Sequence, residues 1–122
     1  MIDPDAPCEN LFERLAVRDP ARLVGYLAPD GLPQHLLTFA AEVAGRELPP
    51  DLVTEPLLTL LDHPSAVVRE GAVYGIAYHL EDPRARRRIE EMASGDPSQG
   101  VRLAASDAVE SYEFDVTEGT QP

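Results

Sequence analysis

The feature that most constrains this chain is that it repeats itself. Shifting the segment 64–75 by 97 − 64 = 33 positions lays Pro64 on Pro97, Ser65 on Ser98, Val68 on Val101, Arg69 on Arg102, Ala72 on Ala105 and Gly75 on Ala108. Shifting it back by 64 − 33 = 31 lays it on Pro33, Leu37, Ala41 and Ala44. The preceding segments follow suit. Leu23-Val24-x-Tyr26-Leu27 corresponds to Leu57-Leu58-x-Leu60-Leu61, and Ile89, Met92 and Ala93 fill a looser third copy. Two apolar-periodic segments per unit and a period near 33 predict an all-α chain: an α-solenoid of about three helical hairpins with an additional N-terminal helix. One amphipathic hairpin cannot bury both its apolar faces, so the copies must stack. Small residues at Gly71, Ala72, Gly75, Ala104, Ala105 and Ala108 let backbones approach. Larger side chains there would overpack the stack, at about 1–3 kcal/mol each.

The 12 prolines and 8 glycines sit at the joints between the periodic segments. Asp19-Pro20, Asp82-Pro83 and Asp96-Pro97 each place a capping carboxylate before a proline that needs no N–H in a first helical turn. Leu32-Pro33 and His63-Pro64-Ser65 repeat the device, with Ser65 as the cap. The spacing predicts helices over about 9–18, 20–28, 33–45, 54–62, 65–80, 83–94 and 98–112. No segment alternates as a half-buried strand would. Residues 1–8 are expected to form a flexible N-terminus, 9–112 a single domain, and 113–122 an acidic, disordered tail.

The segments His63-Pro64-Ser65-Ala66-Val67-Val68-Arg69-Glu70-Gly71-Ala72 and Asp96-Pro97-Ser98-Gln99-Gly100-Val101-Arg102-Leu103-Ala104-Ala105 resemble the turn and second helix of HEAT repeats. The short HEAT-like, phycobilisome-lyase-type group is the most similar. The resemblance covers about 20–112 and is strongest from 55 to 112. In that family the turn Asp and the helix Arg form a ladder of hydrogen bonds between adjacent repeats. The resemblance therefore implies structural ladder roles for Arg69, Asp96 and Arg102. His63 stands where the family has Asp, with Asp62 as the available substitute, and Thr38 stands in the Arg place. The family's pattern specifies a fold far more than a function.

Charge narrows the function classes. All 10 basic residues are Arg, against 22 acidic ones, for a net charge of −12. Without Lys there is no P-loop or Schiff-base lysine. The negative excess opposes nucleic acid and anionic membrane. No apolar run approaches the ~20 residues that span a bilayer. Met1 to Glu9 lacks a basic start and an apolar stretch, so no secretory signal is expected. Cys8, alone among acids, can form neither an internal disulfide nor a thiolate metal site, and its thiol is dulled. A cytoplasmic protein without cofactor or metal is expected. Arg-only usage with abundant Ala and Pro fits a GC-rich, bacterial genome.

No catalytic constellation emerges. His35, His63 and His79 fall in different elements, and the adjacent pairs Glu81-Asp82 and Glu90-Glu91 point apart on a helix. Ser94, Ser98, Ser106 and Ser111 have no evident base. Arg84, Arg86, Arg87 and Arg88 form the one basic cluster. Its members either contact phosphate or pair with Glu81, Asp82, Glu90 and Glu91, each exposed pair contributing ~0.2–1 kcal/mol.

In a solenoid the second helix of each pair lines the concave, binding side. With Val68, Ala72, Gly75 and Ile76 facing inward, Glu70, Tyr74 and Tyr78 make a separate stripe. Its repeat equivalents are Leu103, Asp107 and Ser111, and Phe39, Val43 and Glu47, with Glu110 alongside. Either the tyrosines stand in this face, or they pack against neighbours with only their hydroxyls exposed. The expected partner-binding set is Phe39, Glu70, Tyr74, Tyr78, Leu103, Asp107 and Glu110. The expected function is a non-enzymatic protein–protein interaction module for a basic partner, an immunity or inhibitor protein or an adaptor being concrete forms. Two alternatives stay open: a HEAT-like lyase or maturation factor handling a cofactor or modified protein, and nucleic-acid binding through Arg84–Arg88. A monomer or weak homodimer is expected, with Leu11, Phe12 and Leu15 capping one end.

Overall fold

The computed structural model describes residues 6–120, with side-chain surroundings for 11–117. The described chain is helical throughout and contains no strand: α1 (Ala6–Arg18), α2 (Pro20–Gly25), α3 (Gln34–Glu47), α4 (Pro50–Leu60), α5 (Ala66–Ile76), a 3-10 turn (Ala77–His79), α6 (Pro83–Gly95) and α7 (Gln99–Thr120). The proline joints behave as chemistry requires. The Asp19 carboxylate accepts from the Arg22 N–H at 3.2 Å, and Asp82 from the Arg84 N–H at 2.8 Å, each just before a proline in the first helical turn.

Five boundaries differ from the sequence expectation by three residues or more. α2 ends at Gly25 rather than 28, and the chain passes into a turn at Tyr26 and Leu27. α4 starts at Pro50 rather than 54, because Pro50 opens a first turn as readily as a carboxylate-capped proline does. α5 ends at Ile76 and tightens into the 3-10 turn, where buried His79 donates from Nε2 to the Gly45 carbonyl at 2.7 Å. Residues 113–120, expected as a disordered tail, continue α7 as helix. Ala6, Pro7 and Cys8, placed in the flexible N-terminus, belong to α1, while 1–5 and 121–122 lie outside the described residues.

α5 is the central element. It packs most extensively on α3, and also on α7 and α4. α6 packs on α7, α1 covers α3, and α2 bridges α1, α3 and α4. The inward positions Val68, Ala72, Ile76, Val101 and Ala105 are fully buried, as are Leu57, Leu60 and Leu61. Ala108 and Val109 lie at the edge of this core, half-buried.

The α3–α5 contact is backbone against backbone. A Cβ on Gly45 would fall on the Gly75 carbonyl, one on Gly75 on the Ala41 carbonyl, and one on Gly71 on Thr38. No side chain can withdraw from such a clash, so the helices would have to separate.

The repeat reappears as hydrogen bonds. Arg69 Nη1 donates to the His63 carbonyl at 2.9 Å, and 33 residues on, Arg102 Nη1 donates to the Asp96 carbonyl at 2.7 Å. Asp96 Oδ1 accepts from the Ser98 N–H at 2.8 Å, and His63 Nδ1 accepts from the Ser65 N–H at 3.0 Å. The Ser65 hydroxyl, expected as the cap of α5, accepts no hydrogen bond from the helix; His63 instead holds the N–H of Ser65 itself. Between units, Arg69 grips Asp96 with two parallel bonds, Nε to Oδ2 at 3.0 Å and Nη2 to Oδ1 at 3.1 Å. At the preceding joint no arginine is present, and His63 Nε2 donates instead to the Pro29 carbonyl at 3.1 Å. A carbonyl only accepts, so Nε2 carries the proton and Nδ1 is the acceptor. Asp62 does not substitute in the ladder; it pairs with Arg88 at 2.8 Å.

Burial pushes the Asp96 carboxyl up. The Arg69 hydrogen bonds, the Ser98 N–H and the charges of Arg69 and Arg88 outweigh it and hold the group below the ordinary value of 3.8. A depressed folded-state value contributes stability that is full above the unfolded value and disappears as pH falls through the folded one. Asp96→Asn should therefore lower stability at neutral pH and flatten the loss of stability below about pH 4, read by urea denaturation across an acid series. Gly45→Ala should destabilise by about 1–3 kcal/mol or more. By contrast, Gly95→Ala, where a Cβ meets nothing within 4 Å, should stabilise by about 0.4–1 kcal/mol. Thermal melts of the two variants check the contrast.

Candidate functional site

The α3–α5 joint is closed by glycine, whereas α7 packs on α5 less extensively. Where α5 ends and α7 continues, the surface opens into a groove of about 590 Å³. Ala77, Leu80, Ala104 and Ala108 contribute its apolar lining. Tyr74, Tyr78 and Tyr112 supply aromatic surface, and Glu81, Asp107 and Asp115 supply carboxylates.

Each tyrosine is held differently. The Tyr74 hydroxyl donates to Glu70 Oε1 at 3.1 Å, one helical turn back, while Glu70 Oε2 lies over Gly100 of α7. Burial pushes the Tyr74 phenol above its ordinary 10.0; the hydrogen bond and charge of Glu70 add to this, followed by the charges of Glu42 and Asp107. Tyr78 is 53% exposed. Tyr112 accepts from Arg86 Nη1 at 3.1 Å, and the same guanidinium lies over its ring, 5.6 Å from the centroid.

The groove brings together Tyr74, Tyr78 and Asp107 from the expected set. Glu70 stands beside it, half-buried in its bridge to Tyr74. Leu103 and Glu110 are exposed on α7 but do not line it. Phe39 does not belong to this face: it is half-buried against the core, and its companion Val43 is 3% exposed, because α1 and α5 both pack on α3. Tyr74, at 44% exposure, and Tyr78 present more than their hydroxyls. Tyr112, Glu81, Asp115 and Val116 are lining residues that the sequence reading missed. The stripe 107, 111, 115 has helical spacing, and α7 runs past the expected end at 112 to Thr120.

Charge is unevenly compensated. Arg46 pairs with Glu13 and Glu47, Arg69 with Asp96, Arg84 with Glu55 and Asp82, and Arg88 with Asp62 and Glu91. Among the described residues no cation pairs with Glu81, Asp107 or Asp115. In the basic cluster, Arg84 and Arg88 are held by acids, Arg86 is held by Tyr112 and the Leu80 carbonyl, and Arg87 is exposed.

Among the described residues no group of three or more His, Cys, Asp and Glu is placed to hold a metal ion, and no helix is long and apolar enough to cross a membrane. No family model matches the chain, and neither a curated protein nor a solved structure matches it.

Of the 4 tyrosines, Tyr74 should ionise late in an ultraviolet titration. Glu70→Ala should bring that component back toward the ordinary range, since it removes both the acceptor and the charge that favour the neutral phenol.

Proposed function

We propose that this chain is a short HEAT-like α-solenoid acting as a non-enzymatic protein-binding module, with the groove between α5 and α7 as its docking face for a basic segment of a partner protein. The observation that carries this reading is the make-up of the groove lining. Glu81, Asp107 and Asp115, with which no cation pairs among the described residues, converge there beside three tyrosines and apolar surface. The 33-residue recurrence of the Arg69 and Arg102 bonds supports the repeat architecture. Packed helices carry the face, so little ordering cost attends binding. Tyrosine adds contact area with a polar tip, and the surrounding negative charge steers a cationic partner. An inhibitor of a basic toxin or enzyme and an adaptor are both consistent with such a face. Nucleic-acid binding through Arg84–Arg88 is weakened, because Arg84 and Arg88 already hold carboxylates within the chain.

The reading is tested on the protein recovered by affinity capture from native lysate. Asp107→Lys combined with Asp115→Lys should slow its association by about tenfold or more at low salt and flatten the salt dependence. Arg87→Glu, outside the groove, should leave the rate close to wild type or raise it slightly. Unchanged kinetics in the double variant would remove the groove from the interface.

A further inference from the structure

The chemistry of the groove points to more than positive charge in its occupant. We infer that the docking residue is an arginine of the partner, whose guanidinium lies on the groove tyrosines while Asp107 accepts its hydrogen bonds and Asp115, two turns further along α7, adds negative charge. This rests on the reading of the groove as a protein-docking face and deepens it.

Three observations carry the choice of arginine. First, the lining combines aromatic surface with carboxylates over apolar side chains. A planar, weakly hydrated guanidinium uses all three at once: it stacks on a ring, donates in a fork to carboxylate, and lays its aliphatic stem on the apolar lining. A lysine ammonium is compact and strongly hydrated, and loses more on leaving water for such a surface. Second, the chain displays the contact itself. Arg86 lies over the Tyr112 ring and donates to its hydroxyl, and Tyr112 also lines the groove. Third, the carboxylates are available. Tyr74 takes up Glu70 and Arg86 takes up the Tyr112 hydroxyl, but among the described residues Asp107 and Asp115 are engaged by no donor. Tyr78, 53% exposed, offers the most open ring.

The probes are three short fluorescein-labelled peptides of one sequence, differing only in whether the spaced cationic positions are arginine, lysine or citrulline. Citrulline keeps the planar shape without the charge. Fluorescence anisotropy with the full chain should rank arginine above lysine by roughly three- to tenfold, with citrulline weakest. Tyr78→Leu, on an exposed side chain that makes no hydrogen bond among the described residues, should bring the arginine-to-lysine ratio close to one. Asp107→Asn should weaken both cationic peptides, and helical circular dichroism shows that each variant is folded. If lysine and arginine bind equally in the wild type, and Asp107→Asn weakens both, the arginine assignment is overturned while the acidic docking face stands. If neither cationic peptide binds better than citrulline, both are overturned.

Discussion

The structure depends on the place where α3 and α5 touch through their backbones. Gly45, Gly71 and Gly75 remove the side chains that would hold the helices apart, and α5 is thereby seated at the centre of the molecule. Its far end is tied to the same contact, since His79 bonds to the carbonyl of Gly45 itself. Its other flank is set by the paired bonds from Arg69 to Asp96. Tyr74 and Tyr78 protrude from this doubly anchored segment, which makes the aromatic wall of the groove a fixed surface rather than a loop.

The unequal joints explain the groove. Glycine draws α5 against α3, while α7 packs on α5 less extensively and is tied to it through the turn by the bonds from Arg69 to Asp96. Small side chains along the apolar lining and large aromatic ones beside them leave a trough instead of a sealed core. Among the described residues no arginine pairs with Glu81, Asp107 or Asp115 in the trough.

Much of this was legible in the sequence because the signals were local or repeated. Asp before Pro marked helix starts through capping, and the apolar spacing identified Val68, Ala72, Ile76, Val101 and Ala105 as interior. The stripe through Tyr74 and Tyr78 followed by subtraction. What was not legible depended on tertiary contact. Nothing local distinguishes Phe39 from Tyr74, since both lie on the stripe; Phe39 is half-buried because α1 and α5 flank α3, a relation between distant segments. Gly45 carries no local signal either, because its role exists only opposite Gly75. The continuation of α7 was hidden by composition: an acidic segment with a glycine reads as a tail, yet the spacing of Asp107, Ser111 and Asp115 already traced a helical face.

The joint around His63 has a consequence for how the units relate to one another. At one seam a ring N–H meets a backbone carbonyl, His63 to Pro29; at the next a guanidinium meets a carboxylate, Arg69 to Asp96. Exchange the two turns and an aspartate would confront a carbonyl, acceptor against acceptor, while a histidine N–H would confront an arginine, donor against donor. The segments are alike in outline but keyed differently at their edges, so the polarity of two hydrogen-bonded seams prescribes the order in which they can be assembled.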